Sequence, residues 1–189
     1  PFCMGLATIQ NGEDIQATVS LSALWQAAEK TRLGVLYIGE TELDFESDLG
    51  ITLPGGVGPS DVASNVEFTL PQTLRTSLAH ELTDSLTLLA TLGWEDWSAF
   101  NDIALSTPAG GGTLPRNWED TWHYGLGLRG ETGGPWTWYT GVAYDTDPTR
   151  ATDRTADMPI DKQWRISGGA NYARSNGHAV GVSVTYADY

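Results

Sequence analysis

The chain is poor in the residue types that mark several common classes of protein. A single cysteine, Cys3, excludes an internal disulfide framework and a cysteine-rich metal site. Only 10 basic residues stand against 24 acidic ones, and the resulting net charge of −14 argues against a nucleic-acid-binding protein. No run of 18 apolar residues occurs, so the sequence predicts no transmembrane helix. The lack of a long apolar run does not exclude a transmembrane β-barrel, because each strand of such a barrel is half polar.

The chain is rich in alternation between apolar and polar residues. Near 118–130, for example, Trp122 and Tyr124 alternate with His123 and Gly125. This period of two predicts strands with one apolar and one polar face. The pattern predicts eight such strands, near 15–26, 31–45, 66–80, 85–96, 118–130, 136–145, 164–173 and 178–187.

Short and long connections between the predicted strands alternate along the chain. The short turns are 27–30, 82–85, 132–135 and 175–177, and the long loops are 46–65, 97–117 and 146–163. In outer-membrane barrels the short turns are periplasmic and the long loops are extracellular. We therefore predict an all-β fold, an antiparallel up-and-down transmembrane β-barrel, with residues 1–189 forming a single segment of it.

Aromatic residues cluster at both ends of the predicted strands. Those near the long loops are Phe45, Phe68, Trp94, Trp122, Tyr144, Trp164 and Tyr186, and those near the short turns are Trp25, Trp136 and Tyr172. Two belts at headgroup depth have this arrangement, because indole and phenol rings combine an apolar body with a polar tip. The alternative is that these rings form the ordinary core of a soluble β protein.

The order of turns and loops places both ends of the eight-strand segment outside the cell. Bacterial barrels have an even number of strands and usually keep both termini in the periplasm. We therefore expect at least one further strand beyond each end. The alternative is a small closed barrel of eight strands.

Several segments between Val66 and Tyr186 together resemble one family. They are 68–75 (FTLPQTLR), 94–100 (WEDWSAF), 118–122 (WEDTW), 136–138 (WTW), 141–148 (GVAYDTDP) and 167–169 (SGG). In this order and spacing they resemble the C-terminal half of the FadL-type outer-membrane transporters of long-chain fatty acids and aromatic hydrocarbons. The resemblance implies a 14-stranded barrel with an N-terminal hatch, which places the hatch, the early strands and the last strand outside this sequence.

The same resemblance implies a route for the substrate. The family captures it at a groove near the extracellular loops, passes it to a pocket in the lumen, and releases it sideways through the wall. Basic residues of the pocket meet the fatty carboxylate, and one such lysine would fall at Glu119, where the charge is reversed. This reversal makes a neutral hydrocarbon easier to accept than a fatty acid.

The polar faces of the strands supply the candidate binding residues. A fatty acid needs an apolar slot with a convergent cation or hydrogen-bond donors. The lumen-facing candidates are Arg75, His123, Arg129, Tyr139 and Arg165. The alternative is that the inward arginines pair with glutamates across strands, as Glu95 would with Arg75 or Arg129. A second polar run is Glu40, Glu42, Asp44, Glu46 and Asp48, which we interpret as a hydrated lumen wall.

The predicted function is passive transport of hydrophobic molecules, fatty acids or hydrocarbons, through a barrel in the bacterial outer membrane. No G-x-S-x-G elbow or metal-ligand spacing occurs, so we predict no enzyme activity, no cofactor and no metal. The expected partners are a hydrophobic small molecule and the lipid bilayer with its lipopolysaccharide. The full-length protein is expected to be a monomer, although this segment alone could self-associate. The alternatives are a soluble lipid-binding barrel or sandwich, and a structural or adhesive outer-membrane barrel.

Overall fold

The computed structural model describes residues 6–52, 60–100, 102–108, 110–155, 160–174 and 177–188. The described part is built from β-strands, with one short 3₁₀ helix at Trp97–Phe100. The strands are β1 Leu6–Glu13, β2 Ser20–Ala28, β3 Thr31–Ile38, β4 Thr41–Thr52, β5 Ser60–Leu70, β6 Thr73–Thr83, β7 Leu86–Glu95, β8 Asp102–Thr107, β9 Gly110–Pro115, β10 Thr121–Glu131, β11 Trp136–Asp145, β12 Gln163–Ala173 and β13 Ala179–Asp188. No helix in the described ranges has both the length and the apolar character needed to cross a membrane.

Eight of the strands form one large antiparallel sheet. Its order, β2-β3-β6-β7-β10-β11-β12-β13, follows the chain, so every strand pairs with its predecessor and its successor in the sheet. This up-and-down order confirms the predicted fold class, and the seven pairings between neighbouring strands of the sheet join the eight predicted strands in chain order. The sheet is an open section of a barrel wall, with β2 and β13 as its first and last strands. The number of strands in the complete barrel stays a prediction.

The remaining five strands form a second sheet at the long-loop end, in the order β1-β4-β5-β8-β9. We predicted loops at 46–65 and 97–117, and that prediction is wrong for their described parts. They contain most of the β4–β5 hairpin, the 3₁₀ helix and the β8–β9 hairpin. The predicted loop residues 53–59, 101, 109 and 156–159, and the turn residues 175–176, lie outside the described residues.

Two predicted strands are each divided between the two sheets. The strand near 66–80 breaks at Pro71, because proline has no N–H to donate to a ladder, and β5 and β6 therefore separate there. The strand near 31–45 breaks after Gly39, whose N–H still donates to Val19 O at 2.9 Å in register with β2, whereas Thr41 pairs with Leu70 of β5. The first predicted strand begins at Ser20 rather than near residue 15.

The division of these strands moves the acidic run away from the lumen. Glu42, Asp44, Glu46 and Asp48 lie on β4, in the second sheet, and all four are exposed. Glu40 lies in the break before β4. The interpretation of this run as a lumen wall is therefore wrong. Period two identifies a strand and its faces, but it does not tell which sheet the strand joins.

The large sheet turns its apolar face outward. Leu126 is 54% exposed, Ile166 58% and Val182 69%. Thr87 and Arg129, on the opposite face, are half-buried, and the cavities of the sheet lie on that side. We call the face that carries Thr87 and Arg129 the inner face. An exposed apolar face of this extent is typical of a surface that meets lipid or another protein.

Aromatic rings lie at both ends of the outward face. Near the long loops, the ring centroids of Tyr124 and Tyr144 lie 6.5 Å apart, and those of Tyr144 and Trp164 lie 4.6 Å apart. Near the short turns, Trp136 packs on Tyr172 with a centroid distance of 4.9 Å. These contacts agree with the predicted belts.

Phe45 and Phe68 do not belong to a belt, and their placement there was wrong. They lie on β4 and β5 of the second sheet, with ring centroids 5.7 Å apart. We call the second sheet the loop layer and the large sheet the barrel wall. The two rings pack in the loop layer, where Phe68 meets Phe100 edge-on with a centroid distance of 5.5 Å. The division of the predicted strands therefore also moved these two rings away from lipid.

Candidate functional site

A row of charged side chains crosses the inner face near the long loops. Arg75 on β6 pairs with Glu95 on β7, with Nη2 3.4 Å from Oε1. On β10 to β12, His123 Nδ1 donates to Asp145 Oδ1 at 2.6 Å, and Arg165 donates to the other oxygen of the same carboxylate. Three of the five predicted binding residues therefore lie in one row, which we call the ion-pair row.

Strand register explains why these residues meet. Arg75 and His123 both face Gly93 of β7, one from each side, and His123 faces Asp145 of β11. A Cβ on Gly93 would lie 3.2 Å from His123 Cβ and 3.5 Å from Arg75 Nε. Glycine at this position therefore leaves room for both side chains on the inner face.

The other two predicted residues lie toward the short turns. Arg129 and Tyr139 face each other across β10 and β11, six residues along β10 from His123, which is about 20 Å of strand. Arg129 pairs with Glu131 of its own strand, and the Asn171 amide lies 3.5 Å from Tyr139 Oη. The structure thus divides the candidates into an upper and a lower group. That either group binds substrate stays a prediction.

A cavity of about 310 Å³ lies directly above the ion-pair row, and we call it the mouth cavity. Trp97, Trp118, Pro148 and Ile160 supply its apolar walls. The carboxylates of Glu95, Asp145 and Asp161 also line it, and that of Asp145 holds His123 and Arg165 below it. The cavity therefore adjoins the inner face at the ion-pair row.

An aromatic cluster forms one side of the mouth cavity. Trp97 and Trp118 have ring centroids 5.1 Å apart, and Phe100 packs on Trp118 at 4.9 Å. Phe68 and Phe45 extend the cluster into the second sheet. Phe100 is 5% exposed and Trp118 4%, so both rings are buried. The cluster joins the loop layer to the barrel wall.

Asp96 fastens the 3₁₀ helix at this junction. Ser98 Oγ donates to its Oδ1 at 2.6 Å, and the Gln72 amide donates to its Oδ2 at 3.0 Å. These two hydrogen bonds hold the pKa of Asp96 below its ordinary value. Asp96 therefore favours its ionised carboxylate form. Through Gln72, the residue before β6, this carboxylate links β6 to the 3₁₀ helix that carries Trp97 and Phe100.

The loop between β11 and β12 is fastened over the opposite side of the mouth cavity. Arg154 donates to Asp147 at 2.6 Å and to Asp161 at 3.0 Å, and Arg116 donates to Thr155 at 2.9 Å. The Lys162 backbone N–H and the Arg154 guanidinium hold the pKa of Asp161 below its ordinary value. These bonds position Ile160 and Pro148 at the cavity wall.

Below the ion-pair row, the inner face forms a groove floored by small residues. Gly127 and Gly141 face each other across β10 and β11, and a Cβ on Gly141 would approach Leu126 O to 3.0 Å. Leu89 on β7 lines three adjoining cavities, of about 360, 450 and 410 Å³. We call these together the inner groove. It runs from His123 and Arg165 to the short-turn end.

Some residues of this site were not among the sequence candidates. Trp97 and Trp118 stand in the segments 94–100 and 118–122, whose aromatic density was the available signal. Asp145 ends a predicted strand and lies on its polar face, but nothing in the sequence pairs it with Arg165. Glu119, where the charge is reversed, forms an exposed ion pair with Arg150 instead of facing the groove.

A family model described as "Outer membrane protein transport protein (OMPP1/FadL/TodX)" matches residues 6–188. The chain belongs to this family. Membership confirms the resemblance drawn from the sequence and places the chain in the bacterial outer membrane.

Individual relatives agree with the family. The long-chain fatty acid transport protein of Salmonella typhi is 24% identical over 176 residues, covering 86% of this chain and 40% of that protein. A FadL homologue from Pseudomonas aeruginosa superposes with a TM-score of 0.80 at 21% identity, covering 89% and 42%. The toluene transporter TbuX of Ralstonia pickettii gives a TM-score of 0.62 at 20% identity, covering 89% and 46%. The chain spans less than half the length of each.

Proposed function

We propose that this chain forms part of the wall of an outer-membrane channel through which hydrophobic molecules, hydrocarbons or fatty acids, move passively. The observation that carries the proposal is that Asp145, which lines the mouth cavity, pairs with His123 and Arg165, which line the upper end of the inner groove. An apolar molecule held between Trp97 and Ile160 lies one side-chain layer above the groove. The names of the Salmonella and Ralstonia relatives support fatty acids and toluene as the substrate classes to test.

The charges at the entrance favour an uncharged leading group. Arg75 is paired with Glu95, and Arg165 and His123 share Asp145. Both arginines of the ion-pair row therefore already contact a carboxylate, and an incoming anion would have to displace one of these carboxylates. A neutral hydrocarbon, or the tail of a fatty acid, needs no such exchange.

The exposed apolar face supports the lipid bilayer as the surrounding of the large sheet. The soluble alternative predicted Leu86, Leu88 and Leu92 in an internal core, but Leu92 is exposed and the other two are half-buried. The relatives are transport proteins, and we propose a channel without enzyme activity that acts as a monomer. A purely adhesive barrel would show no uptake, so the transport experiment decides between these two functions.

Replacing Ile160 with aspartate tests the mouth cavity. The substitution puts a carboxylate against Trp97 and Trp118, and transferring an apolar solute to a charged, hydrated wall is unfavourable. We expect toluene uptake into liposomes, reconstituted with protein purified from outer membranes, to fall about tenfold at low toluene concentration. The measurement is the initial rate of uptake per channel.

Leu114→Asp is the matched control for this substitution. Leu114 is also an exposed apolar residue of the loop layer, but it lies on β9 and does not line the mouth cavity. Its variant should transport toluene at the parent rate. Equal losses in both variants would contradict entry through the mouth cavity, and liposomes with parent protein that take up no more than empty ones would contradict transport.

A further inference from the structure

We propose that Leu89 is a specificity-determining residue of the inner groove, an apolar step in a row of polar and small residues. At this step the groove favours an apolar solute over a hydroxyl-bearing solute of the same size. The inference rests on the proposed function and deepens it, because it names the residue that sets the class of solute admitted.

Leu89 is an apolar residue on the polar face of its strand. Alternation along β7 places Leu88 and Ala90 on the outward face and Leu89 on the inner face, between Thr87 and Thr91. Its side chain is half-buried and lines the cavities of the inner groove. The outward apolar pattern that meets lipid therefore does not account for this leucine, whose side chain faces the groove.

Strand register places small residues on both sides of Leu89. It faces Ala79 of β6 on one side and Gly127 of β10 on the other. Between these two neighbours, Leu89 is the one that extends an isobutyl group from the wall. The complete inner-face row, from β2 to β13, is Gln26, Arg32, Ala79, Leu89, Gly127, Gly141, Ser167 and Thr185.

Leu89 lies where the upper and lower parts of the inner groove adjoin. It borders the upper cavity of about 360 Å³, which reaches His123 and Arg165. It also borders the two lower cavities, of about 410 and 450 Å³, which reach Arg129 and Tyr139. A solute that moves along the groove from the long-loop end to the short-turn end therefore passes its side chain.

Two glycines keep the groove open beside Leu89. Gly127 faces Leu89 on one side and Gly141 on the other. A Cβ on Gly127 would lie 3.1 Å from Thr140 O and 3.9 Å from Leu89 Cβ. A larger residue at 127 would therefore occupy the space next to the leucine. The slot that remains is bounded by an isobutyl group and by sheet backbone.

Such a slot discriminates by polarity. The backbone polar groups of Gly127 lie within a ladder that continues on both sides, so neighbouring strands engage them. A solute hydroxyl that leaves water at Leu89 meets an apolar group there, which is unfavourable. An apolar constriction opposes hydrated solutes for the same reason. A methyl group at the same point gains an apolar contact instead.

The test compares toluene with phenol, two rings of similar size that carry a methyl and a hydroxyl group. The initial rate of uptake of each is measured in outer-membrane vesicles, above that of vesicles lacking the protein. We expect Leu89→Asn to lower the ratio of toluene to phenol uptake about fivefold, because an apolar contact is replaced by an amide that hydrogen-bonds phenol. Since the readout is a ratio, it does not depend on the amount of folded protein.

Two further variants separate polarity from packing. Leu89→Met keeps the apolar character and nearly the volume, so it should keep the parent ratio. Leu114→Asn makes the same change as Leu89→Asn on exposed β9, away from the inner groove, and should also keep the parent ratio. A ratio that is equal in the parent and Leu89→Asn, or that falls as far in Leu89→Met or Leu114→Asn, would overturn the assignment.

A binding measurement keeps this proposal distinct from the transport proposal. Toluene and phenol binding are measured by calorimetry on protein purified from outer membranes in a nonionic detergent. Toluene binding that Leu89→Asn weakens relative to phenol binding, in a protein without uptake, would support the apolar step and contradict transport. Uptake of toluene with a toluene-to-phenol ratio that ignores Leu89 would support transport and contradict the step.

Discussion

Replacing Ile166 with arginine should lower the free energy of unfolding of the barrel in a lipid bilayer by about 2–4 kcal/mol. Ile166 lies on the outward face of β12, between the belt residues Trp164 and Tyr172, and is 58% exposed. If that face meets acyl chains, the guanidinium must leave water for hydrocarbon or distort the bilayer around it. The measurement is urea unfolding of the reconstituted protein, followed by tryptophan fluorescence.

The next residue along the chain provides the matched control. Ser167 lies on the inner face, where it lines the inner groove. Ser167→Arg should change the free energy of unfolding by less than about 1 kcal/mol, because its guanidinium stays in a hydrated lumen. The same variant should reduce toluene uptake by narrowing the groove. If Ile166→Arg and Ser167→Arg lower the free energy of unfolding equally, or if Ser167→Arg lowers it more, the assignment of the outward and inner faces is contradicted.

Replacing Phe100 with alanine should release the loop layer from the barrel wall. Phe100 is 5% exposed and contacts Phe68, Trp97 and Trp118, so its removal leaves a cavity at the junction between the two sheets. Truncating a buried phenylalanine costs about 3–5 kcal/mol. We expect the free energy of local opening of the β4–β5 hairpin to fall by about this amount. The measurement is hydrogen exchange of the backbone amides in the hairpin.

The effect of Phe100→Ala should stop at the loop layer. Exchange in β10 and β11 should match the parent, because their ladder in the large sheet does not depend on the aromatic cluster. Leu114→Ala, at a position 56% exposed, should leave exchange in both regions unchanged. Unchanged exchange in β4 and β5 of Phe100→Ala would show that the cluster does not hold the second sheet.

The strands of the barrel wall could be predicted because local signals mark both their faces and their ends. β11 occupies 136–145, as predicted, where Pro135 precedes alternating residues and Asp147-Pro148 follows them. By contrast, Gly39 does not interrupt the alternation between 31 and 45, so nothing local shows that the strand changes sheets there. Sheet membership is decided by long-range pairing, which a period of two does not contain.

The site was predictable in part for the same reason. The Arg75–Glu95 pair was foreseen as one alternative, because both residues fall on polar faces of adjacent strands. The carboxylate shared by His123 and Arg165 was not foreseen, because it depends on the register of three strands. Likewise, Trp97 and Trp118 are 21 positions apart in the sequence, and only folding of the β8–β9 segment between them brings their rings together.

Spin labels placed one at a time from 121 to 131 on β10, with Cys3 replaced by serine, test most directly which face of the sheet meets lipid. Collision with oxygen, which concentrates in acyl chains, and with a water-soluble nickel chelate is measured at each position in bilayers. We predict that oxygen accessibility peaks at Tyr124, Leu126 and Leu128, and that nickel accessibility peaks at His123, Gly125 and Gly127. Nickel accessibility that peaks at Leu126, or two profiles that rise and fall together, would contradict a lipid-facing apolar surface around a hydrated groove.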